Sequence, residues 1–308
     1  MKPLFDAAGL IVFERGWLSC NSVLFPDSES DQSVLIDTGY CSHSEQTVAL
    51  VKRALGQRQL HRVINTHLHS DHCGGNQALQ DMFDCRIDVP VGESDKVDRW
   101  DESRLTYRDT GQSCPRFRRT GVVRAGDEIK LGARRWHVIA APGHDPESVV
   151  LYEPELQLLI SADALWENGF GVVFPELEGE ADAFDKVRQT LHRLAELPVR
   201  CVIPGHGSPF ADAQAAIARA NRRLDGFVAD PTKHALYAAK VLVKFRLLEL
   251  HRAELSDLLN WIAATPYMRL VHQRYFNNVA FSPWCSAVVA SLVQTGAALV
   301  DGGLIHDR

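Results

Sequence analysis

Seven consecutive residues, Thr66-His67-Leu68-His69-Ser70-Asp71-His72, hold three histidines and one carboxylate, and no other stretch limits the chain so tightly. They follow a short apolar segment, Arg62-Val63-Ile64-Asn65, that predicts a strand, and they precede Gly74-Gly75 and a helical pattern. Imidazole and carboxylate at this density point to metal binding. They suit zinc, iron or manganese, and no cysteine or methionine joins them at ligand spacing. On an extended segment the alternating His67 and His69 point one way, while Asp71 and His72 lie past the bend. One short loop can therefore serve two neighbouring metals.

Three later fragments share a plan with it. Ala140-Ala141-Pro142-Gly143-His144-Asp145 follows Trp136-His137-Val138-Ile139, and Ser161-Ala162-Asp163-Ala164 follows Leu156-Gln157-Leu158-Leu159-Ile160. Pro204-Gly205-His206-Gly207 follows Cys201-Val202-Ile203. Each sets one potential ligand directly after a β-branched or leucine-rich run, flanked by glycine, proline or small residues. That pattern is a strand whose carboxyl end opens into a tight loop, where layered folds place their chemistry. Taken singly, His144, Asp163 and His206 are also readable as turn residues.

T-H-L-H-S-D-H at 66–72, P-G-H at 142–144, S-A-D at 161–163, P-G-H-G at 204–207 and the upstream L-I-D-T-G at 35–39 resemble the metallo-β-lactamase-fold hydrolase superfamily over roughly residues 10–210. The resemblance implies that His67, His69 and His144 hold one metal, that Asp71, His72 and His206 hold a second, and that Asp163 bridges the pair. Asp37 matches a buried carboxylate beneath the site that orients a ligand imidazole. The implied cofactors are two divalent ions, zinc first, with manganese or iron as alternatives. Such ions, roughly 3.5–4 Å apart, share a water and make it a hydroxide near neutral pH. Asp71 is the expected catalytic group, orienting that bridging hydroxide or passing its proton. No Ser-His-Asp arrangement, phosphate loop or dinucleotide fingerprint competes for the role.

The pattern also has departures. Asp145-Pro146-Glu147-Ser148 stands where many relatives carry threonine, a small residue and glycine, which argues against a standard hydroxyacylglutathione hydrolase. An aspartate at the bridging position argues against antibiotic hydrolysis as the main activity. Cys73, next to His72, reads as a reactive thiol near metal or as a small buried residue filling a tight loop.

At 308 residues the chain is long enough for a large core and an appendage. Hydrophobic content of 45% and charged content of 23% are those of an ordinary globular protein. The start of the chain has no long apolar stretch, so no signal peptide or membrane span is expected. Seven scattered cysteines read as reduced thiols, placing the protein in the cytoplasm. A net charge of −6 offers nucleic acid no general attraction.

Strands are expected over 10–13, 19–25 and 33–37, with Pro26-Asp27-Ser28 turning between the last two. Helices are expected near 44–54 and 76–83. The second half repeats the plan, with strands near 134–141, 147–153 and 156–162, a helix near 181–196 and the strand into Pro204. The fold class is α/β: a four-layer αββα sandwich, its catalytic domain spanning 1–210. Residues 92–124 exceed what such a sandwich needs and predict a lid insertion. Its Trp100, Tyr107 and Phe117 among arginines suit an anionic substrate, or a solvated surface whose arginines pair with Asp95, Asp98, Asp101 and Glu102. Trp166, Phe170 and Phe174, just after Asp163, are the expected walls of the substrate pocket.

From about Asp212 the sequence turns helical, over 212–228, 232–250, 254–263 and 284–294. Asp301-Gly302-Gly303 between apolar pairs predicts a terminal hairpin. Residues 211–308 therefore resemble a winged-helix-like C-terminal domain, as in the glyoxalase II and lactamase-β-like branches of the superfamily. The first functional reading is a metal-dependent hydrolase of a small ester, thioester or lactone. The alternatives are a single-stranded-RNA endonuclease of the lactamase-β-like type and a mono-iron persulfide dioxygenase. A small molecule is the expected partner, with RNA possible, a homodimer contact possible and no membrane.

Overall fold

Period-two alternation, with apolar residues on both faces of the innermost strands, makes this fold four layers deep. In the computed structural model, which describes residues 1–26, 32–178 and 182–308, two sheets lie face to face. The first holds β1 (Ile11–Phe13), β2 (Ser22–Phe25), β3 (Val34–Ile36), β4 (Arg62–Ile64), β5 (Arg86–Pro90) and β6 (Gly121–Val123), in that order. The second holds β7 (Glu128–Leu131), β8 (Arg134–Ala140), β9 (Val149–Glu153), β10 (Leu158–Ala162) and β11 (Cys201–Pro204), ordered β11-β10-β9-β8-β7. Asp27 and Ser28 of the expected turn, and Ala181 of the expected helix, lie outside the described residues.

Val23 and Phe25 point into the layer between the sheets, while Leu24 points to the outer helices. Leu158 and Ile160 do the same against Leu159, and Cys201 and Ile203 against Val202. Each such apolar burial contributes roughly 1.5–3 kcal/mol, so both faces of these three strands are committed. The helices Ser44–Leu55 and Asn76–Phe83 cover the first sheet, and Ala183–Ala195 and Ala213–Ala229 cover the second. This is the αββα sandwich.

Strand direction sets where chemistry can occur. β3 and β4 run parallel with Ile36 opposite Ile64, and β10 and β11 run parallel with Ala162 opposite Pro204. The segments carrying Asp37, His67, Asp163 and His206 therefore leave the sheets at one edge.

Beyond the sandwich stand the helices Pro231–Leu250, Leu255–Ala264, Pro266–Tyr275 and Phe281–Gln294. They are joined by a small antiparallel sheet of β12 (Arg252–Glu254), β13 (Ala298–Asp301) and β14 (Leu304–Asp307), ordered β12-β14-β13. The terminal hairpin turns through Gly302 and Gly303, whose φ values of 57° and 90° suit a tight two-residue turn. Pro266 starts a helix where proline's missing N–H costs nothing. Its Tyr267, Met268 and Val271 enter a core with Leu242, Trp284 and Val288. Phe174 from the sandwich joins the same cluster. Among the described residues no helix is long and apolar enough to cross a membrane.

Residues 92–124 are anchored to the sandwich by their aromatics. Tyr107 and Phe117 are buried, Trp100 packs beside them, and all three join the core outside the first sheet. Arg99 and Arg104 pair with Asp95, and Arg119 pairs with Asp98. The aromatics are therefore structural, and the surface-pairing reading describes these three arginines.

Candidate metal centre

Asp37 is the keystone beneath the His-rich loop. Its carboxylate accepts from Thr66 N at 2.8 Å, Thr66 Oγ1 at 2.7 Å and His72 Nδ1 at 2.8 Å. That fixes the His72 ring with Nε2 facing into the site. Asp37 and Ala162 adopt φ of 55° and 45°, the left-handed region, each at a strand end entering the site. Such strain persists only where the surroundings over-determine it. Asn65 holds the loop from inside, donating to the His72 carbonyl at 3.2 Å and accepting from Asn76 Nδ2 at 2.7 Å. His69 caps the one-turn helix Ser70–Cys73, which carries Asp71 and His72 away from His67 and His69.

The side chains gather into two adjoining groups. His67, His69 and His144 bring one ring nitrogen each within 4.8 Å of one another, and so do one carboxylate oxygen each of Asp71 and Asp163 and one ring nitrogen each of His72 and His206. In the first group His144 Nε2 lies 2.8 Å from His69 Nδ1 and 3.3 Å from His67 Nε2. His144 Nδ1 is engaged by the Val172 carbonyl at 2.6 Å, so its tautomer turns the Nε2 lone pair inward. In the second group His206 Nε2 lies 3.0 Å from Asp71 Oδ2. Asp163 stands between the groups: Oδ1 is 3.2 Å from His72 Nε2, and Oδ2 is 3.4 Å from His144 Nε2. Gly205 permits that approach, because a Cβ there would lie 2.1 Å from Asp163 Oδ1.

These residues fit divalent metal. His72 Nε2 is fully buried, has no hydrogen-bond partner and faces a carboxylate, an arrangement that is costly unless a cation completes it. Burial, reinforced by neighbouring imidazoles, lowers the pKa of His67 well below its ordinary value and those of His69 and His144 to about 4. All three are neutral imidazoles at pH 7, the ligand form. Burial works against the Asp163 carboxylate, but the charges of His72 and His206 outweigh it and hold its pKa well below the usual range. For Asp71, too, burial is outweighed by the His206 hydrogen bond, and its pKa is lowered.

His67 and His72 are fully buried, and His69, Asp71, His144, Asp163 and His206 form the floor of a cavity of about 420 Å³. Trp17, Trp166, Val172 and Phe174 wall it from the sandwich, and Thr106, Thr110 and Gln112 from the 92–124 segment. Its roof is the helix Pro231–Leu250, which presents Tyr237, Lys240, Val241, Phe245 and Leu248 at helical spacing. Tyr40, beside the metal loop, ties that helix down: its ring meets Phe245 edge-on at 5.0 Å and its hydroxyl donates to Glu249 at 3.1 Å.

The sequence expectations meet this geometry unevenly. His67, His69, Asp71, His72, His144, Asp163 and His206 converge, with Asp37 beneath them. Trp166 and Phe174 line the cavity, but Phe170 does not: it is 2% exposed and turns into the core against Phe227. The reason is local. The Gly171 N–H donates back to the Asp163 carbonyl at 2.8 Å, which reverses the chain and points Phe170 inward. Cys73 is a buried thiol held by Tyr107 Oη at 3.1 Å, its pKa pushed well up chiefly by burial, so it packs rather than reacts. Trp17 and the roof helix carried no motif; only the apolar spacing of 232–250 marked the latter.

The family model of the metallo-beta-lactamase superfamily matches residues 15–206. Among curated relatives, the hydroxyacylglutathione hydrolase of Mesorhizobium japonicum is 29% identical over 70% of this chain and 69% of its own length. That of Rhizobium meliloti is 33% identical over 52% of this chain and 53% of its own. The chain thus spans from about half to seven-tenths of the length of the curated relatives it matches. Among solved structures, a metallo-beta-lactamase family protein of Thermus thermophilus aligns over 98% of this chain and 99% of its own, with a TM-score of 0.60 at 18% identity. A beta-lactamase domain protein of Burkholderia ambifaria aligns over 97% and 91%, with a TM-score of 0.58 at 22% identity. The shared fold extends over the C-terminal helices. The chain belongs to the metallo-beta-lactamase superfamily.

Proposed function

We propose that this protein is a metal-dependent hydrolase of small acyl thioesters, with esters and lactones open to the same chemistry. The observation that carries this reading is one cavity with metal-type donors gathered at its floor and apolar side chains around its walls. His67, His69 and His144 would hold one divalent ion, Asp71, His72 and His206 the other, with Asp163 shared between them. Such a pair, zinc first and manganese or iron otherwise, supplies a nucleophile at neutral pH and a Lewis acid for the carbonyl oxygen.

The chain's own residues supply the rest. Asp71, ionised and turned into the cavity, would take the proton that water loses as its oxygen bonds to the acyl carbon, and would return it to the sulfur as the C–S bond breaks. Asp37 holds the His72 tautomer. Trp166, Phe174, Phe245 and Leu248 exclude water and seat the acyl group. Lys240, at the cavity edge, also borders a groove of about 380 Å³ with Arg222, Arg223 and Lys233, which suits an anionic thiol carrier. The curated relatives named as hydroxyacylglutathione hydrolases act on thioesters by name, and that agrees with this choice. Residues 211–308 then act as a winged-helix-like domain roofing a catalytic domain of 1–210, with 92–124 as its side wall.

The test is a parallel assay of acyl thioesters, lactones and labelled single-stranded RNA on the zinc-loaded protein. The reading expects thioester turnover that a chelator abolishes. RNA cleavage without thioester turnover contradicts it.

A further inference from the structure

Trp166 does more than line the cavity. It sits on a tight loop closed by Trp166 N to Gly169 O at 2.7 Å, and its indole Nε1–H donates to Asp163 Oδ1 at 3.1 Å. That oxygen is the one facing the second donor group, 3.2 Å from His72 Nε2 and 3.9 Å from His206 Nε2. The other oxygen faces His144. The indole therefore selects one half of the carboxylate and fixes its rotation. A carboxylate oxygen has two lone-pair sites, so it can accept from the indole and still face a cation.

His206 supplies an independent observation. A ligand imidazole ordinarily donates its other N–H to a carboxylate, carbonyl or water. His72 has Asp37 and His144 has the Val172 carbonyl, but His206 Nδ1 is buried without a partner. Two indoles pack against the His206 ring instead. Trp17 stacks parallel to the His206 ring at 5.4 Å and 6°, Trp166 meets it edge-on at 5.4 Å and 75°, and the two indoles touch each other at 5.4 Å. Trp17 is 57% exposed, a large aromatic kept at the rim by this stack.

We propose that Trp166 and Trp17 are positioning residues for the second metal of the two-metal reading above: Trp166 orients the bridging carboxylate, and the indole pair orients His206. Support is then uneven within the second site: His72 is held by the Asp37 carboxylate, whereas His206 depends on aromatic packing and the shared Asp163 on a single indole N–H.

Trp166→Phe tests the first half, since it keeps a ring against Trp17 and His206 and deletes the N–H. The full chain, freed of metal, is titrated with zinc against a chromophoric chelator and with cobalt(II) by its visible absorption, and its melting is recorded without metal. The parent is expected to bind two equivalents. In Trp166→Phe, one equivalent weakens by about 10–100-fold, the range that outer partners of metal ligands command. The other equivalent and the metal-free melting temperature stay unchanged. Trp17→Ala weakens the same equivalent, by several-fold. A Trp166→Phe protein that binds both equivalents like the parent overturns the proposal. Equal loss at both, together with lower metal-free melting, also overturns it, because that is a folding effect. A parent that binds a single equivalent removes the two-metal reading and this proposal together, whereas two equivalents insensitive to Trp166 remove the proposal alone.

Discussion

The floor and the roof of the cavity are built by different rules. The floor, with the buried His67 and His72, draws seven donors from four chain segments, each close to a strand end. Asp37 and the Val172 carbonyl lock two of its imidazoles by hydrogen bonds. The roof is one helix, Pro231–Leu250, held by apolar packing and by Tyr40. Floor contacts are directional, and losing one leaves buried polar atoms unsatisfied. Roof contacts are dispersive and tolerate exchange at similar volume. Under the proposed function the floor would carry the chemistry and the roof the choice of substrate, and substitutions should separate the two.

The largest effect belongs to the floor. Asp163→Asn removes the charge shared by both donor groups, and hydrolysis should fall by more than the roughly 100-fold that outer partners command, with bound metal reduced. Loss of activity at full metal content would break the assignment. Asp37→Ala comes next. It leaves His72 and Thr66 without their acceptor, and metal affinity should drop by about 10–100-fold, with a lower melting temperature.

Roof substitutions should act on binding alone. Phe245→Asp or Leu248→Asp places a charge on the apolar wall. About 1.4 kcal/mol of lost apolar contact corresponds to roughly a tenfold rise in KM for an acyl thioester, with metal content unchanged. If metal were lost as well, the floor and roof would not be separable.

The smallest effect lies at the floor's margin, where Glu93 is buried near Asp145 and Glu147. Burial first, then Asp145, raises the Glu93 pKa to about 8, although Lys96 opposes the shift from 2.7 Å. A carboxyl with its folded pKa raised contributes stability at low pH and loses it as pH rises from its unfolded value through about 8. Glu93→Gln should therefore melt like the parent near pH 4.5 and roughly 3 °C higher at pH 9, per kcal/mol relieved. A constant difference across pH would assign the change to packing.

The same contrast explains what was legible in the sequence. The donors and Asp37 were readable because ligand chemistry concentrates rare residue types at strand ends, and such motifs are local. The helices Ser44–Leu55 and Asn76–Phe83 and the two-glycine hairpin were readable from spacing and turn chemistry. β5, β6 and β7 were not read, since short strands such as Glu128–Leu131 alternate with charge and resemble loop. The helix Pro266–Tyr275 was hidden by a proline that reads as a break yet suits a first turn. Phe170 was misplaced because a backbone reversal at Gly171 decided its direction, and Trp17 was missed because its partner, His206, lies far along the chain.

The central claim is that this floor holds two divalent ions that drive hydrolysis. Metal analysis of the purified protein, followed by chelation and stepwise zinc return during a thioester assay, tests it most directly. The account predicts two ions per chain, activity lost with them and restored as the second equivalent returns. One bound iron, with oxygen uptake on a persulfide and no thioester turnover, would contradict it.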